Sequence, residues 1–414
     1  MAAGKRIALF LDGTWNTSDD NTNVWRMKSL FACGPDQVCY YSAGVGTLFG
    51  QRLIGGMWGY GLDDEVIRAY AWLIDQYDPN DQLFIFGFSR GAYTARSLAG
   101  LISKCGLLKP GAPMSLTQLY TRYRRGSKAL TIRELQNEDP TKLDFEDRWL
   151  REYSMPIPIW FQGVWDTVGA LGIPFGNIPL LSRSDYGFLE TDLRINDTHA
   201  FHALAIDEHR EAFAPTLWQR TVQEGVPAYP ERPLSQVEQR WFVGAHADVG
   251  GGYPNGLLAQ IPLQWLMQKA SLHGLVFKGA IDVDGDECGA DVHNSFAEMA
   301  HGVYRVCKFG RPFYRAIGAA PAVVGDKTTS TINETIDATV FDRWRGNPGY
   351  RPKNLATWAA AHQVDIASQH DSVRADDHSV LRPDAQPPTS TPPPPPTATP
   401  NLVQDVSTVR MSGA

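Results

Sequence analysis

Short apolar runs alternate along this chain with longer segments in which apolar residues recur every three or four positions. Residues 7–11 form the first run, and the turn-forming pair Asp12-Gly13 follows it directly. A run of this length between turn signals predicts a buried strand. Residues 64–77 instead carry the helical period. The predicted buried face of this helix consists of Val66, Ala69, Tyr70, Leu73 and Tyr77.

The alternation of predicted strands and helices continues for most of the chain. Residues 83–86 predict a buried strand, and residues 90–105 predict a helix that ends at Gly106. Farther on, strands are predicted at 157–164 and 240–243, and helices at 196–209 and 262–273. Such alternation is typical of a parallel sheet with helices on both faces. The sequence therefore predicts an α/β fold with a doubly wound, mostly parallel sheet.

The composition changes near the end of the sequence. Half of the residues from Pro383 to Pro400 are proline. A segment of this kind does not bury a core and is typical of extended, flexible chain. The sequence predicts a folded domain over residues 1–382 and a proline-rich disordered tail over residues 383–414. A docking peptide is the alternative role for the tail.

The size and charge of the chain exclude some classes of function. It has 414 residues, of which 43% are hydrophobic, enough for a full-size core. The net charge is −7, which argues against a nucleic-acid partner. The five cysteines are scattered and lack the CxxC spacing of a zinc site or redox pair. We therefore expect free thiols, a reducing cytosol as the place of folding, and neither metal nor cofactor.

The sequence contains no pattern typical of a membrane span or a secretory signal. Apolar stretches stay well below the roughly 18 residues that a spanning helix needs. Lys5 and Arg6 precede the first apolar run, but Asp12 ends that run too early for a signal peptide. We expect a protein that is cytoplasmic as synthesised and makes peripheral membrane contact at most.

A GxSxG motif occurs once, at residues 87–91, between the predicted strand 83–86 and helix 90–105. In serine hydrolases this motif forms a strained turn that exposes the serine oxygen, and its glycines allow a close backbone crossing. Ser89 is therefore the predicted nucleophile. The alternative is an ordinary turn in which Ser89 only caps the following helix.

A serine nucleophile needs a histidine to take its proton and an acid to orient that histidine. The α/β-hydrolases carry them in the order serine, acid, histidine. His246 follows a predicted strand and stands in a glycine-rich segment, so it is the predicted base, with a buried structural histidine as the alternative. Asp166, just past the strand 157–164, is the predicted acid. Asp207 is the alternative acid, although it stands on a helical pattern.

Ester cleavage also needs backbone N–H groups that stabilise the developing oxyanion. The residue after the nucleophile normally supplies one donor, here Arg90, and a loop after another strand supplies the second. Gly13 and Thr14 are the predicted second donors. The alternative is that these residues form only a tight turn in which Asp12 bonds nearby amides.

Two glycine-rich apolar segments, 46–61 and 168–181, have neither a strand nor a helix period. Apolar side chains on loops beside a nucleophile suit a lid or an acyl pocket. Trp58, Leu171 and Phe175 are therefore predicted substrate contacts. Simple packing against the core is the alternative.

These residues resemble the catalytic-domain family of the first subfamily of type VI secretion lipase effectors, which are α/β-hydrolases. The resemblance lies in the blocks 9–16, 87–96, 163–172, 203–213 and 244–253, and continues more weakly through 293–295 and 350–355. It implies a Ser-Asp-His lipolytic hydrolase, and the effectors of this family cleave acyl esters of glycerophospholipids. An immunity protein and a secretion apparatus are partners that the resemblance alone implies.

The residues and the resemblance together predict a serine hydrolase that cleaves carboxylic esters of lipids, with phospholipase A-type activity. As an effector, it would enter target cells without a signal peptide. The first alternative is an esterase or thioesterase that acts on small soluble substrates. The second is a non-catalytic interaction protein that keeps the hydrolase fold.

Overall fold

The computed structural model describes residues 4–13, 21–44, 58–168, 193, 197–225, 231–298, 308 and 310–381, with side chains from residue 63 onward in the third range. These residues belong to one compact unit, Met1–Leu381. Thr14, Leu171, Phe175 and the predicted tail 383–414 lie outside the described residues.

The described residues form thirteen strands and eleven α-helices. The strands are β1 (Arg6–Leu11), β2 (Gln37–Ser42), β3 (Gln82–Phe88), β4 (Leu107–Leu108), β5 (Ser154–Met155), β6 (Ile159–Trp165), β7 (Asp197–Ala205), β8 (Gln219–Gln223), β9 (Val237–Phe242), β10 (Ala322–Val324), β11 (Lys327–Thr331), β12 (Glu334–Ile336) and β13 (Val373–Arg374). The helices are α1 (Asn23–Leu30), α2 (Trp58–Gln76), α3 (Arg90–Cys105), α4 (Leu116–Tyr123), α5 (Ile132–Asn137), α6 (Phe145–Tyr153), α7 (His246–Gly250), α8 (Gln260–Leu272), α9 (Ser295–Glu298), α10 (Ala338–Gly346) and α11 (Lys353–His362).

Eight of these strands form the central sheet, in the order β13-β12-β9-β7-β6-β3-β1-β2. All neighbours run parallel except β12 and β13. The chain passes from β1 outward to β2 and then crosses to the other side of β1 at β3. The direction of winding therefore reverses between β1 and β3, which is where α/β sheets open a crevice beyond the carboxyl ends of their strands.

Helices cover both faces of this sheet. On one face, Ile7 and Leu9 of β1 belong to a core that includes residues of α2 and α3. On the other face, Ala8 and Phe10 belong to a core that includes residues of α1 and α8. Strands buried on both faces have few polar positions, which explains the continuous apolar runs in the sequence. The predicted mixed α/β fold with a mostly parallel sheet is confirmed.

Most predicted elements are present, with shifts at their ends. Helix α3 has the predicted bounds 90–105, and the strands predicted at 83–86, 157–164 and 240–243 correspond to β3, β6 and β9. Helix α2 begins at Trp58, six residues earlier than predicted. Trp58 therefore stands in a helix, and its assignment to a loop was wrong.

The helix predicted at 196–209 is also wrong, because this segment forms strand β7 (Asp197–Ala205). The strand pairs with β6 on one side and β9 on the other, and its residues from Ala200 to Ala205 are all buried. A strand buried on both faces lacks the alternation of apolar and polar residues, so its apolar positions can match the helical spacing. The alanines of this segment also have high helix propensity. Pairing on both edges overrides that local preference.

Candidate active site

The register of the sheet aligns three strand ends. Phe88, the last residue of β3, pairs with Trp165, the last residue of β6. Trp165 in turn pairs with Ala203 of β7. Ser89 and Asp166 are the next residues after the first two strands, so they leave the sheet side by side. His246 begins α7, a short way beyond the end of β9.

Ser89 sits in a sharp turn between β3 and α3. Its φ is 57° and its ψ is −121°, a left-handed conformation that is strained for a residue with a side chain. Its side chain makes no capping hydrogen bond to α3. The alternative that Ser89 only caps the helix is therefore wrong. The backbone N–H of Ser89 donates to the carbonyl of Trp165 at 3.1 Å, which holds the turn against the neighbouring strand.

Both glycines of the GxSxG motif occupy positions where a side chain has no room. A Cβ atom on Gly87 would overlap the carbonyl oxygen of Gly91 and lie 2.7 Å from the backbone nitrogen of Ala92. A Cβ on Gly91 would overlap the carbonyl oxygens of Leu11 and Asp12 at the end of β1. The first turn of α3 thus crosses close to two strands, and only glycine permits this crossing.

Ser89, His246 and Asp166 form one continuous line of hydrogen bonds. The Nε2 atom of His246 lies 2.7 Å from Oγ of Ser89, and Nδ1 lies 2.5 Å from Oδ2 of Asp166. An ionised carboxylate only accepts hydrogen bonds, so Nδ1 carries the proton and Nε2 is left to accept the serine O–H. This arrangement prepares His246 to take a proton from Ser89.

The imidazole of His246 is enclosed by aromatic rings. The ring centroids of Phe88 and Phe213 lie 4.7 and 5.0 Å from that of His246. Burial lowers the pKa of His246 below its ordinary value, and the bond to Asp166 opposes this effect without reversing it. His246 is therefore a neutral base at neutral pH.

Asp166 is fully buried, and its carboxylate accepts hydrogen bonds at both oxygens. Oδ1 accepts from the N–H of Ala205 at 3.0 Å and from Nη1 of Arg315 at 2.6 Å. Oδ2 accepts from Nη2 of Arg315 at 2.9 Å in addition to His246. Burial alone would raise the pKa of Asp166, but the charge of Arg315 and the hydrogen bond from His246 hold it well below its ordinary value. Asp166 is therefore ionised.

Asp207, the alternative acid, has other partners. Its Oδ2 accepts from the N–H of Gly244 at 2.8 Å and from the hydroxyl of Tyr350 at 3.0 Å. Burial raises the pKa of Asp207. The carboxylate braces the turn that leads into α7, and the structure brings Asp166, not Asp207, to His246.

Glu208 is a buried carboxylate beside His246 that sequence reasoning missed. It accepts from the backbone N–H of His246 at 3.2 Å and forms a fork with Nε and Nη2 of Arg210 at 2.8 and 2.7 Å. It also accepts from the hydroxyl of Ser295. Burial would raise the pKa of Glu208, but Arg210 lowers it to about 2. Glu208 thus fixes the backbone that carries His246.

The predicted oxyanion donors differ in their surroundings. Arg90 is the first residue of α3, where backbone N–H groups point out of the helix end. The N–H of Gly13 instead donates to Oδ1 of Asp12 at 2.8 Å, and Asp12 in turn accepts from Thr22 at 2.5 Å and Tyr41 at 3.2 Å. Gly13 would have to share or release that bond to serve an oxyanion.

In the part of the chain that the structure describes, no helix has the length and apolar character to cross a bilayer.

Fold and site together define a mixed α/β protein with an aligned serine, histidine and aspartate at the carboxyl edge of a mostly parallel sheet. Residues 5–269 match the family described as "T6SS, Phospholipase effector Tle1-like, catalytic domain", and the chain belongs to this family. The family resemblance of the sequence is confirmed over this range.

Three known proteins are similar to parts of the chain. "Uncharacterized protein YEL023C" of Saccharomyces cerevisiae is 30% identical over 232 residues, 51% of this chain and 32% of that protein. The chain thus spans about a third of this curated relative. An uncharacterized protein from Pseudomonas aeruginosa has 20% identity and a TM-score of 0.41, over 71% of this chain and 50% of the other. The Tle1 effector bound to the VgrG spike from the Type 6 secretion system has 15% identity and a TM-score of 0.39, over 81% and 92%.

Proposed function

We propose that this chain is an α/β-hydrolase that cleaves carboxylic esters of lipids, with phospholipase A-type activity. The observation that carries the proposal is the hydrogen-bonded line from Ser89 through His246 to Asp166, at a strained strand-to-helix turn, in a chain of a phospholipase effector family. In this proposal the turn is a nucleophile elbow and the three residues are a catalytic triad.

The reaction follows from the positions of the atoms. His246 Nε2 takes the proton of Ser89 while Oγ attacks the acyl carbonyl, and a tetrahedral intermediate forms. The alcohol part of the lipid then leaves with the proton from His246, and an acyl group stays on Ser89. Water, deprotonated by the same imidazole, releases the fatty acid. Asp166 stays ionised throughout and stabilises the imidazolium in each half of the reaction.

The oxyanion of the intermediate needs donors near Ser89 Oγ. We assign one to the backbone N–H of Arg90 because it follows the nucleophile. Gly13 remains a candidate for the second, provided that its bond to Asp12 is shared. Thr14 also remains proposed. Trp58, Leu171 and Phe175 remain proposed contacts of the acyl chain.

Family membership supports a role as a type VI secretion effector. In that role the protein is made in the cytoplasm, delivered by the secretion apparatus into a target cell, and restrained in the producing cell by an immunity protein. Its contact with the phospholipid surface is peripheral.

The experiment that tests this function measures acyl release from phospholipid vesicles and from a soluble short-chain ester. Wild type and the Ser89→Ala variant are compared, with Ser97→Ala, another serine of α3, as the matched control. We expect vesicle hydrolysis that the Ser89 variant loses and the Ser97 variant keeps. Turnover of the soluble ester alone would favour the esterase alternative. No Ser89-dependent turnover of either substrate would favour the interaction protein.

A further inference from the structure

We propose that Arg315 is a positioning residue of this site, which fixes the carboxylate of Asp166 in the orientation that receives the Nδ1 proton of His246. The inference rests on the proposed function, because it concerns the acid of that reaction.

The side chain of Arg315 is completely buried and forms a two-pronged contact with Asp166. Nη1 lies 2.6 Å from Oδ1, and Nη2 lies 2.9 Å from Oδ2. This parallel fork fixes both the direction and the plane of the carboxylate. A carboxylate held in this way cannot rotate away from the imidazole without breaking both bonds.

The guanidinium is itself anchored by main-chain oxygens on two other segments. Nη1 donates to the carbonyl of Ala205, at the end of β7, at 2.8 Å. Nη2 donates to the carbonyl of Phe213 at 2.6 Å. The ring of Phe213 in turn contacts His246. Arg315 therefore joins the acid, the neighbouring strand end and the wall of the imidazole pocket.

The charge of Arg315 affects the base as well as the acid. Other charged and titratable groups face the pair: Glu208 and Arg210 act on His246, and Asp166 acts on the buried imidazole of His202. The Asp166 carboxylate stabilises the protonated form of His246, and Arg315 places a permanent positive charge beside that carboxylate. By Coulomb's law this charge disfavours protonation of His246. Loss of the charge should therefore raise the pKa of His246.

Arg315 lies beyond residue 269, where the match to the catalytic-domain family ends. Two more hydrogen bonds come from the same downstream part of the chain: the hydroxyl of Ser295 donates to Glu208, and the hydroxyl of Tyr350 donates to Asp207. The downstream segment thus supplies one hydrogen-bonding partner to each of the three acidic residues. The site depends on this segment in addition to the family region.

The test compares the pH dependence of kcat/KM for vesicle hydrolysis in wild type, Arg315→Met and Arg315→Lys. Methionine removes the charge and the fork, whereas lysine keeps the charge and loses the fork. Arg311→Met, an exposed arginine four residues earlier, is the matched control. We expect Arg315→Met to lower kcat about 100-fold because the acid is misplaced, and to move the acid limb of the profile up by about one pH unit. We expect Arg315→Lys to lower kcat while leaving the acid limb near that of wild type.

A purely structural role would lower stability in both variants and leave the acid limb and kcat of the folded fraction unchanged, which would overturn the proposal. If Arg315→Met does not fold, the Arg315→Lys variant decides the question: a kcat equal to that of wild type would overturn the proposal. A second readout needs no turnover: the titration of the His246 imidazole by NMR in the Ser89→Ala background, with and without Arg315→Met. A higher His246 pKa in the double variant supports the proposal, and an unchanged pKa contradicts it, even if the proposed function fails.

Discussion

Replacing each candidate acid by asparagine separates a residue that orients the base from one that only holds a turn. In Asp166→Asn, the side-chain oxygen is expected at the Oδ1 position, because two groups that can only donate, the Ala205 N–H and Arg315 Nη1, meet it there. At the Oδ2 position only one such group, Arg315 Nη2, is present, and His246 can change tautomer and accept. The amide NH₂ then faces Nδ1 of His246 at the position of Oδ2. A donor at this position forces Nδ1 to accept, so Nε2 carries the proton and no longer accepts the one on Ser89.

The wrong tautomer in a serine hydrolase lowers kcat by about 10⁴, which corresponds to roughly 5 kcal/mol in the activation free energy. We expect a loss of this order in Asp166→Asn. In Asp207→Asn, a single oxygen can still accept from both Gly244 and Tyr350, because both bonds go to Oδ2. We expect its kcat to stay close to that of wild type and its free energy of unfolding to fall by about 1 kcal/mol.

The assay is acyl release under saturating substrate, with urea unfolding of each variant as the measure of stability. Circular dichroism at the assay temperature confirms that both variants are folded. A loss of rate in Asp207→Asn equal to that in Asp166→Asn would refute the assignment of the acid. An Asp166→Asn variant that keeps more than about a tenth of the wild-type rate would also refute it, since the wrong tautomer should lower the rate by far more than tenfold.

Two further predictions concern stability. Gly91→Ala should lower the free energy of unfolding by about 3 kcal/mol or more, because its Cβ would overlap main-chain oxygens at the end of β1. Gly279→Ala, whose Cβ meets nothing within 4 Å, is the control in the same denaturant titration. Equal stability of the two variants would contradict the packing argument. Burial lowers the pKa of His202 from 6.5 to about 3, so the unfolded chain binds a proton there that the folded protein does not, and stability falls as the pH drops below 6.5. Wild type should therefore lose about 1.4 kcal/mol more than His202→Gln between pH 7.5 and 5.5, and parallel curves for the two proteins would refute this origin.

The local part of the site could be predicted because its signals are adjacent in the chain. The turn around Ser89 needs a strand before it, a helix after it and glycines at fixed spacing, and all of these stand within residues 82–105. Asp166 and His246 are predicted because each follows a predicted strand, and the carboxyl ends of parallel strands share one edge.

The residues that hold the site in place could not be predicted in this way. Arg315 lies 149 positions after Asp166 and follows no strand or motif that marks it. The sequence places Glu208 in a predicted helix, because the segment that precedes it shows the helical period. With that segment recognised as β7, Glu208 stands just past a strand end, which is the same signal that predicts Asp166.

In the proposed reaction, His246 activates Ser89 as a nucleophile. A fluorophosphonate ester reacts with a serine only when a base takes the serine proton, so the most direct measurement is the site of its adduct by peptide mass spectrometry. We predict one adduct, on Ser89, that is lost in Ser89→Ala. Its formation should be strongly slowed in His246→Ala and Asp166→Asn, while Asp207→Asn and Ser97→Ala react at the wild-type rate. An unlabelled Ser89 in folded wild-type protein, or an unchanged labelling rate in His246→Ala, would contradict this role of His246.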